Sequence, residues 1–448
     1  VNYTKSPDFE EYRLNIGDYF NSSTGRFTSD LKENLYGGNL ELAKQLNSRA
    51  VKTELKAGAF IQQRDRNFYG RSFVYNGKSV SSTLDPAIDL GSDNIDATKL
   101  YLLEKTADDV DYYDGKSTVT AFYGMADQRF FENLRAVYGV RYENADIRVT
   151  NFKSVKEVAH IEEAAWLPSI NLAYSLSAKT NLRAAYYASV NRPEFRELAP
   201  FAFFAFDKNA AIRGNNELRI ARLNNYDLRL ELYPSGSQVL SIGGFYKTID
   251  HPVEFNIDIT QPFTTFTYSN QKSAKIYGLE FEVRKNLDFL GDRQIFQDIS
   301  VFSNLALIKS TLNFEPGSQA KTDRPLQGQS PYVVNAGIQY ENADNGWFGS
   351  AVVNRVGRRI AYVGVDPKFG DTRQDIFEAP RTVLDVQVGK NFGNLNLKFT
   401  LGDLFHQDQI FYQDTDGDGK FSAEKGDRTM FRYTNGLTAS LSIGYTFK

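Results

Sequence analysis

LTASLSIGYTF, residues 437–447, places Leu437, Ala439, Leu441, Ile443, Tyr445 and Phe447 on one face of an extended chain. Thr438, Ser440, Ser442, Gly444 and Thr446 fall on the other, because side chains along a strand alternate with period two. An apolar face backed by a small, polar one fits a soluble sheet with its apolar side turned inward. It fits equally a membrane strand, apolar toward lipid and polar toward a water-filled lumen.

The same alternation recurs along the chain. Ile170, Leu172, Tyr174 and Leu176 interleave with Asn171, Ala173 and Ser175, and Tyr226, Leu228, Leu230 and Leu232 with Asp227, Arg229 and Glu231. Tyr277, Leu279, Phe281 and Val283 interleave with Gly278, Glu280 and Glu282. Further runs start at Leu134 and Leu395. Charges sit on the polar faces, as a lumen accepts them; on a lipid face each costs about 2–4 kcal/mol at the bilayer midplane.

The connections separate the two readings. Backwards from the C-terminus, long segments at 404–433, 357–379, 310–327, 251–270, 191–221 and 148–163 alternate with short ones. The short ones are NFGN (391–394), NADNG (342–346), LDFLGDR (287–293), PSGS (234–237), SAKT (177–180) and FEN (131–133). Gly, Pro, Asn, Asp and Ser supply the turns. A propeller or sandwich has no reason to gather its long loops at one end, whereas an outer-membrane barrel does. A long loop at 76–117, a strand across 50–75 and two strands before it bring the count to about sixteen, beginning and ending on the same side. The fold class is therefore all-β, an antiparallel transmembrane β-barrel filling residues 1–448.

Composition sets bounds. The 34 Phe and 26 Tyr against 2 Trp suit strands with interfacial aromatics. No run approaches eighteen apolar residues, so no transmembrane helix is expected. A net charge of -3 gives no argument for nucleic acid. With no cysteine there is no disulfide frame and no thiolate metal site. The opening VNYTKSPDFEEY lacks a basic and an apolar signal region, so the chain is expected to be mature, cytosolic or without its N-terminal part.

LPSINLAYSLSAKTNLRAAYYASVNRPEFRELAPF (167–201) resembles the mid-barrel signature of TonB-dependent outer-membrane receptors, in particular the Bacteroidetes-type β-barrel group. RNFYGRSFVY (66–75), GVRYEN (139–144), the run from Gly214 to Tyr246, IYGLEFEVRK (276–285) and RPLQGQSPYVVNAGIQY (324–340) extend the resemblance over nearly the whole chain. The closing LSIGYTFK is similar to the terminal strand signal of such barrels, with Tyr445 and Phe447 as its aromatics and Lys448 after them. The resemblance implies the outer membrane of a Gram-negative bacterium and a twenty-two-stranded barrel, of which this chain supplies the C-terminal portion without plug or early strands. It also implies import of a scarce or bulky nutrient, energised through the plug by the TonB system. Implied partners are outer-membrane lipid, the plug, the energiser and a surface lipoprotein. A passive porin or scaffold barrel, and a soluble all-β binding domain, are the competing readings.

Among local motifs, DTDGDGKFSAEKGD (414–427) is the sharpest. Asp414, Asp416 and Asp418 take positions 1, 3 and 5 of an EF-hand-like loop, Gly419 the turn, Lys420 the carbonyl position and Ser422 position 9. That set suits Ca²⁺, but Lys425 stands where a bidentate Glu belongs, so Glu424 or Asp427 has to replace it; a plain solvated loop is the alternative. NRPEF (191–195) reads as a strand-to-loop transition, because Pro193 cannot donate to a ladder. Arg192 there, with Phe203, Phe204, Phe206 and Arg213 beyond it, are candidates for ligand contact, set against simple loop packing. His160, His251 and His406 share no metal-ligand spacing, and no catalytic elbow or phosphate loop occurs, so no enzymatic activity is expected.

Overall fold

A computed structural model describes residues 3–5, 12–14, 25–48, 51–77, 88, 90–96, 100–105, 112–151, 156–205, 208, 210–258, 265–318, 320–322, 324–366 and 373–447. Fifteen strands follow one another as an up-and-down meander, each antiparallel to the next. They are β1 (Gly25–Asn47), β2 (Val51–Gly77), β3 (Tyr112–Phe130), β4 (Leu134–Thr150) and β5 (Glu157–Ser177). Next come β6 (Thr180–Asn191), β7 (Ala221–Leu232), β8 (Val239–Asp250), β9 (Ser273–Asn286) and β10 (Ile299–Asn313). The series ends with β11 (Tyr332–Glu341), β12 (Trp347–Val356), β13 (Arg381–Phe392), β14 (Leu395–Gly402) and β15 (Thr438–Tyr445). A sixteenth member, Leu100–Lys105, pairs with the upper end of β2. The sheet does not close: β1 and β15 are its two edges.

The sheet thus has sixteen members, but only one of them precedes the strand at 50–75. The meander enters at its long-loop end and finishes at its short-turn end, rather than on one side as the sequence suggests. The reason lies in β1. Leu31 and Leu35 point to one face, Leu40, Leu42 and Leu46 to the other, so the apolar pattern changes phase near Gly37 and Gly38 and reads as two strands. The backbone nevertheless runs straight through, paired residue for residue with β2. The 148–163 loop shrinks similarly, to six residues between Thr150 and Glu157. At the other end the hairpins are tight; Gly393 adopts the φ of +60° that the two-residue link between β13 and β14 uses.

The register carries each face unbroken around the wall. Tyr226 lies opposite Tyr186 and Tyr246, and Tyr246 opposite Tyr277. Rings of Tyr186 and Tyr226 are 5.0 Å apart, and those of Tyr142 and Trp166 are 4.9 Å apart. Below this belt Leu228, Leu279, Leu441 and Ile443 stand exposed, Leu441 at 67%. Leucines exposed in such rows are unfavourable in water and are what a lipid-facing band requires. The opposite face bears Arg229, Glu231, Ser241 and Glu282, where Arg229 pairs with Glu282 and Arg183 with Glu231.

Above the belt the polarity inverts. On β4 the outward face changes from Leu134, Tyr138 and Val140 to Asn144, Asp146 and Arg148, while Ala145, Ile147 and Val149 turn inward and are buried. The inward residues form a core with Phe195, Leu198, Phe201 and Leu218 from the connection between β6 and β7. The upper wall is therefore built like a soluble sheet, with lipid-facing chemistry confined to the lower part.

The long connections fold among themselves. Ala202–Ala205, Ala210–Arg213, Thr265–Asn270 and Val253–Ile257 make one four-stranded sheet. Arg359–Tyr362, Ile376–Glu378, Gln409–Gln413 and Arg428–Tyr433 make another. Phe266, Ile212, Ile376 and Phe411 join the two sheets in a common core. Tyr268 packs against both this core and the one on the wall. A buried ion pair, Arg324 with Glu254 at 2.6 Å, lies within this assembly.

Candidate functional site at the barrel mouth

β6 ends at Asn191, and Pro193 closes the ladder as the sequence suggests. The chain then forms a single helical turn, Phe195–Leu198. Its start is a capping box: the Glu194 side chain accepts from the backbone at Glu197, whose side chain accepts from the Glu194 N–H at 2.9 Å. The turn is pressed into the polar face of the wall. Arg64 of β2 donates to Glu194 at 2.5 Å and lies over the Phe195 ring, its Cζ 4.5 Å from the centroid. Arg66 donates to Glu33 of β1 at 2.5 Å, with Glu194 3.9 Å away. Four charged groups from three elements therefore hold one turn of a loop.

The electrostatics of the turn oppose one another. The bond from Arg64 holds the Glu194 carboxyl below its ordinary value. Burial pushes the neighbouring Glu197 up and pulls Arg196 down to about 10. Arg196 donates to the carbonyls of Phe201 and Ile212, both at 3.1 Å, and so ties the two ends of the segment together.

Arg192 pairs with the buried Glu143 of β4, to which Arg141 also donates at 2.7 Å. Phe203 and Phe204 lie on a strand, opposite Ile212 and Ala211, rather than on an irregular loop. Phe206 lies outside the described residues. Arg213, at the end of the partner strand, is exposed. The six aligned candidates in the 414–427 loop divide. Carboxylate oxygens of Asp414, Asp416 and Asp427 come within 4.8 Å of one another. Asp418 is instead engaged by Lys425 at 2.6 Å, which holds its carboxyl low. Glu424 sits in the exposed turn Ala423–Lys425, and the Lys420 and Ser422 amides donate to Asp418 and Asp427, both at 2.8 Å. Asp414 also takes Arg358 at 2.5 Å. Tyr445 and Phe447 stack edge to face at 4.9 Å on the outer side.

Sequence reasoning missed Arg64, Arg66 and Glu33, and the Glu254–Arg324 pair. The first two had a signal: arginines two residues apart on a strand share a face. Glu254 and Arg324 are 70 residues apart and carry none.

The family model for the β-barrel of TonB dependent receptor-like proteins matches residues 1–404. No curated protein matches the chain. Among solved structures, the unliganded ferric citrate transporter FecA superposes with a TM-score of 0.60 at 14% identity, over 97% of this chain and 57% of that one. The ferric-catecholate import receptor Fiu from K12 E. coli gives 0.60 at 14%, over 93% and 55%, and the copper transporter OprC 0.60 at 15%, over 94% and 58%. At such identities the likeness is one of fold, and the chain spans just over half the length of these structures. The lipid-facing band, polar inner face and long-loop mouth are those of an outer-membrane barrel, and the chain belongs to the TonB-dependent receptor β-barrel family.

Proposed function

We propose that the protein imports a scarce or bulky nutrient across the outer membrane, through a barrel plugged by a separate domain and energised by a TonB-type partner. The observation that carries this reading is the mouth. Two cores, one on the inner wall at Ile147 and Val149 and one reaching Phe411 in the connection between β14 and β15, meet at Tyr268, which is the build of a capture site and not of an open pore. The neighbouring structures named for iron-chelate and copper transport favour a chelated or metal nutrient, and a surface lipoprotein is a further partner on this reading. Liposome swelling tests it: vesicles carrying the purified protein together with its plug domain are expected to stay tight to arabinose, and rapid swelling would instead identify a passive porin. Within the same reading, Asp414, Asp416 and Asp427 bind Ca²⁺ and brace the connection between β14 and β15; the support is three carboxylates gathered at the spacing a hard cation needs.

A further inference from the structure

Strand β10 outlasts one of its neighbours. Its pairing with β11 stops at Leu307 opposite Tyr332, whereas its pairing with β9 continues to Asn313 opposite Ser273. Alternate residues of an antiparallel strand direct their backbone groups to opposite sides. Ile308 donates to the Pro331 carbonyl at 2.9 Å, so Ser310 and Leu312 face the same, vacated side. Among the described residues neither of these N–H groups finds a hydrogen-bond partner. An unpaired strand edge is a template for another strand.

A cleft of about 690 Å³ runs along this edge, above the tyrosine belt. Pro325, Pro331, Ile360 and Phe377 supply apolar walls. Lys309, Arg324, Arg358 and Arg359 line it as well, and no carboxylate does. The carboxylates that pair with the three arginines, Glu254, Asp414 and Glu378, are not among the lining residues. Lys309 is exposed, on the outer face. Three buried polar atoms of lining residues lack a partner: Arg324 Nε, Arg358 Nε and Gln329 Oε1. The cleft therefore combines unspent backbone donors, unspent side-chain hydrogen-bonding capacity and the exposed cation of Lys309, the three arginines being paired with carboxylates behind the lining.

The geometry points to a binding site for a short, extended, acidic peptide, which adds to β10 as an extra strand. Its carbonyls accept from the Ser310 and Leu312 amides, and its carboxylates meet Lys309 and Arg359. Main-chain pairing supplies affinity in such strand addition, and side-chain contacts supply selectivity. Beyond Ile308, whose N–H and carbonyl are taken by Pro331 and Gln329, the edge at 309–313 spans roughly 17 Å at strand rise, enough for a peptide of similar length. This site is separate from the lumenal cluster around Glu194 and holds whether or not the barrel is an energised importer.

Calorimetry on the full-length protein in detergent tests it with three capped hexapeptides: alternating Thr and Glu, the same peptide N-methylated at alternate amides, and alternating Thr and Lys. The acidic peptide is expected to bind, the N-methylated form about tenfold or more weaker, because the methyl groups remove its N–H donors to the Ser310 and Leu312 carbonyls and block approach to the edge, and the basic peptide not at all. Leu312→Pro removes an outward N–H at an edge position where proline is tolerated, and is expected to abolish binding. Lys309→Glu, on an exposed side chain, is expected to weaken binding about tenfold. Heat-modifiable gel mobility verifies that each variant remains a folded barrel, and if Leu312→Pro fails that control the N-methylated peptide and Lys309→Glu decide. Equal binding of the parent and N-methylated peptides, no effect of Lys309→Glu, or capture of an oligouronide but not of the peptide would each overturn the assignment.

Discussion

Gly115 of β3 lies so close to the ring of Phe195 that a Cβ at position 115 would stand 2.5 Å from Phe195 Cγ. The phenyl ring is 1% exposed and cannot retreat into solvent without dismantling the packing with Tyr113 and Leu198. The missing side chain of one strand residue is thus the seat for the first residue of the docked turn. Gly115→Ala is expected to cost about 1–3 kcal/mol by overpacking. The loss should appear as faster proteolysis within 192–220 while the barrel keeps its heat-modifiable mobility. Unchanged protection of that segment would show that the ring does not hold it.

The two glutamates of the capping box titrate in opposite senses. Glu194 has a depressed folded value, so its contribution is present above the ordinary value of 4.5 and is lost as pH falls through the depressed one. Glu197 has a raised folded value, so its contribution is present below 4.5 and is lost as pH rises through the raised one. Thermal melts from acid to neutral pH should therefore show Glu197→Gln stabilising the mouth on the neutral side and Glu194→Gln destabilising it there. Parallel pH profiles for the two variants would contradict this.

Breaking the buried pair in the roof has a local price. Glu254→Ala leaves Arg324 charged, buried and alone, and is expected to cost about 3–5 kcal/mol. Because the pair joins two long connections and no barrel strand, cleavage in 314–331 should rise without loss of the folded barrel. Simultaneous loss of both would place the pair in the barrel's own stability.

The exposed apolar face can be tested directly. Leu230→Arg on β7 puts a charge in the band below the tyrosine belt and is expected to cost about 2–4 kcal/mol, read as failed assembly into lipid vesicles. Assembly at the wild-type yield would mean that this face does not meet lipid.

For the acidic loop, terbium luminescence displaced by Ca²⁺ is the direct measurement. Wild-type protein is expected to give a signal that Asp416→Asn removes, since Asp416 supplies one of the three gathered carboxylates. Asp418→Asn should leave it intact, Asp418 being held by Lys425. Equal signals from the wild type and Asp416→Asn would reduce the loop to a solvated turn.

Much of the barrel was legible because one face of each strand meets a uniform medium. The alternations at Tyr226, Tyr277 and Leu437 lie on strands whose apolar side is outward. The reading failed where the medium changes. Leu31 and Leu35 obey the upper wall and Leu40 and Leu42 the lower, so β1 looked like two elements. Short strands such as Ala202–Ala205 and Val253–Ile257 lie within the roof, where packing partners come from other connections and no period survives. The exit of the strand before Pro193 was legible, but not the partners that Arg64 and Glu143 supply from distant strands and Arg358 from a connection.

The inversion of polarity along β4 and β5 also fixes a depth gauge. Sliding the wall inward by four residues, roughly 14 Å, would bring Asp146 and Glu162 down to the level of the Tyr142–Trp166 pair, with Arg148 and His160 following two residues behind. The barrel is thereby moored vertically by its own side chains. On the import reading proposed above, any stroke that moves cargo is taken up by the mouth and the plug, against a wall that keeps its station in the bilayer.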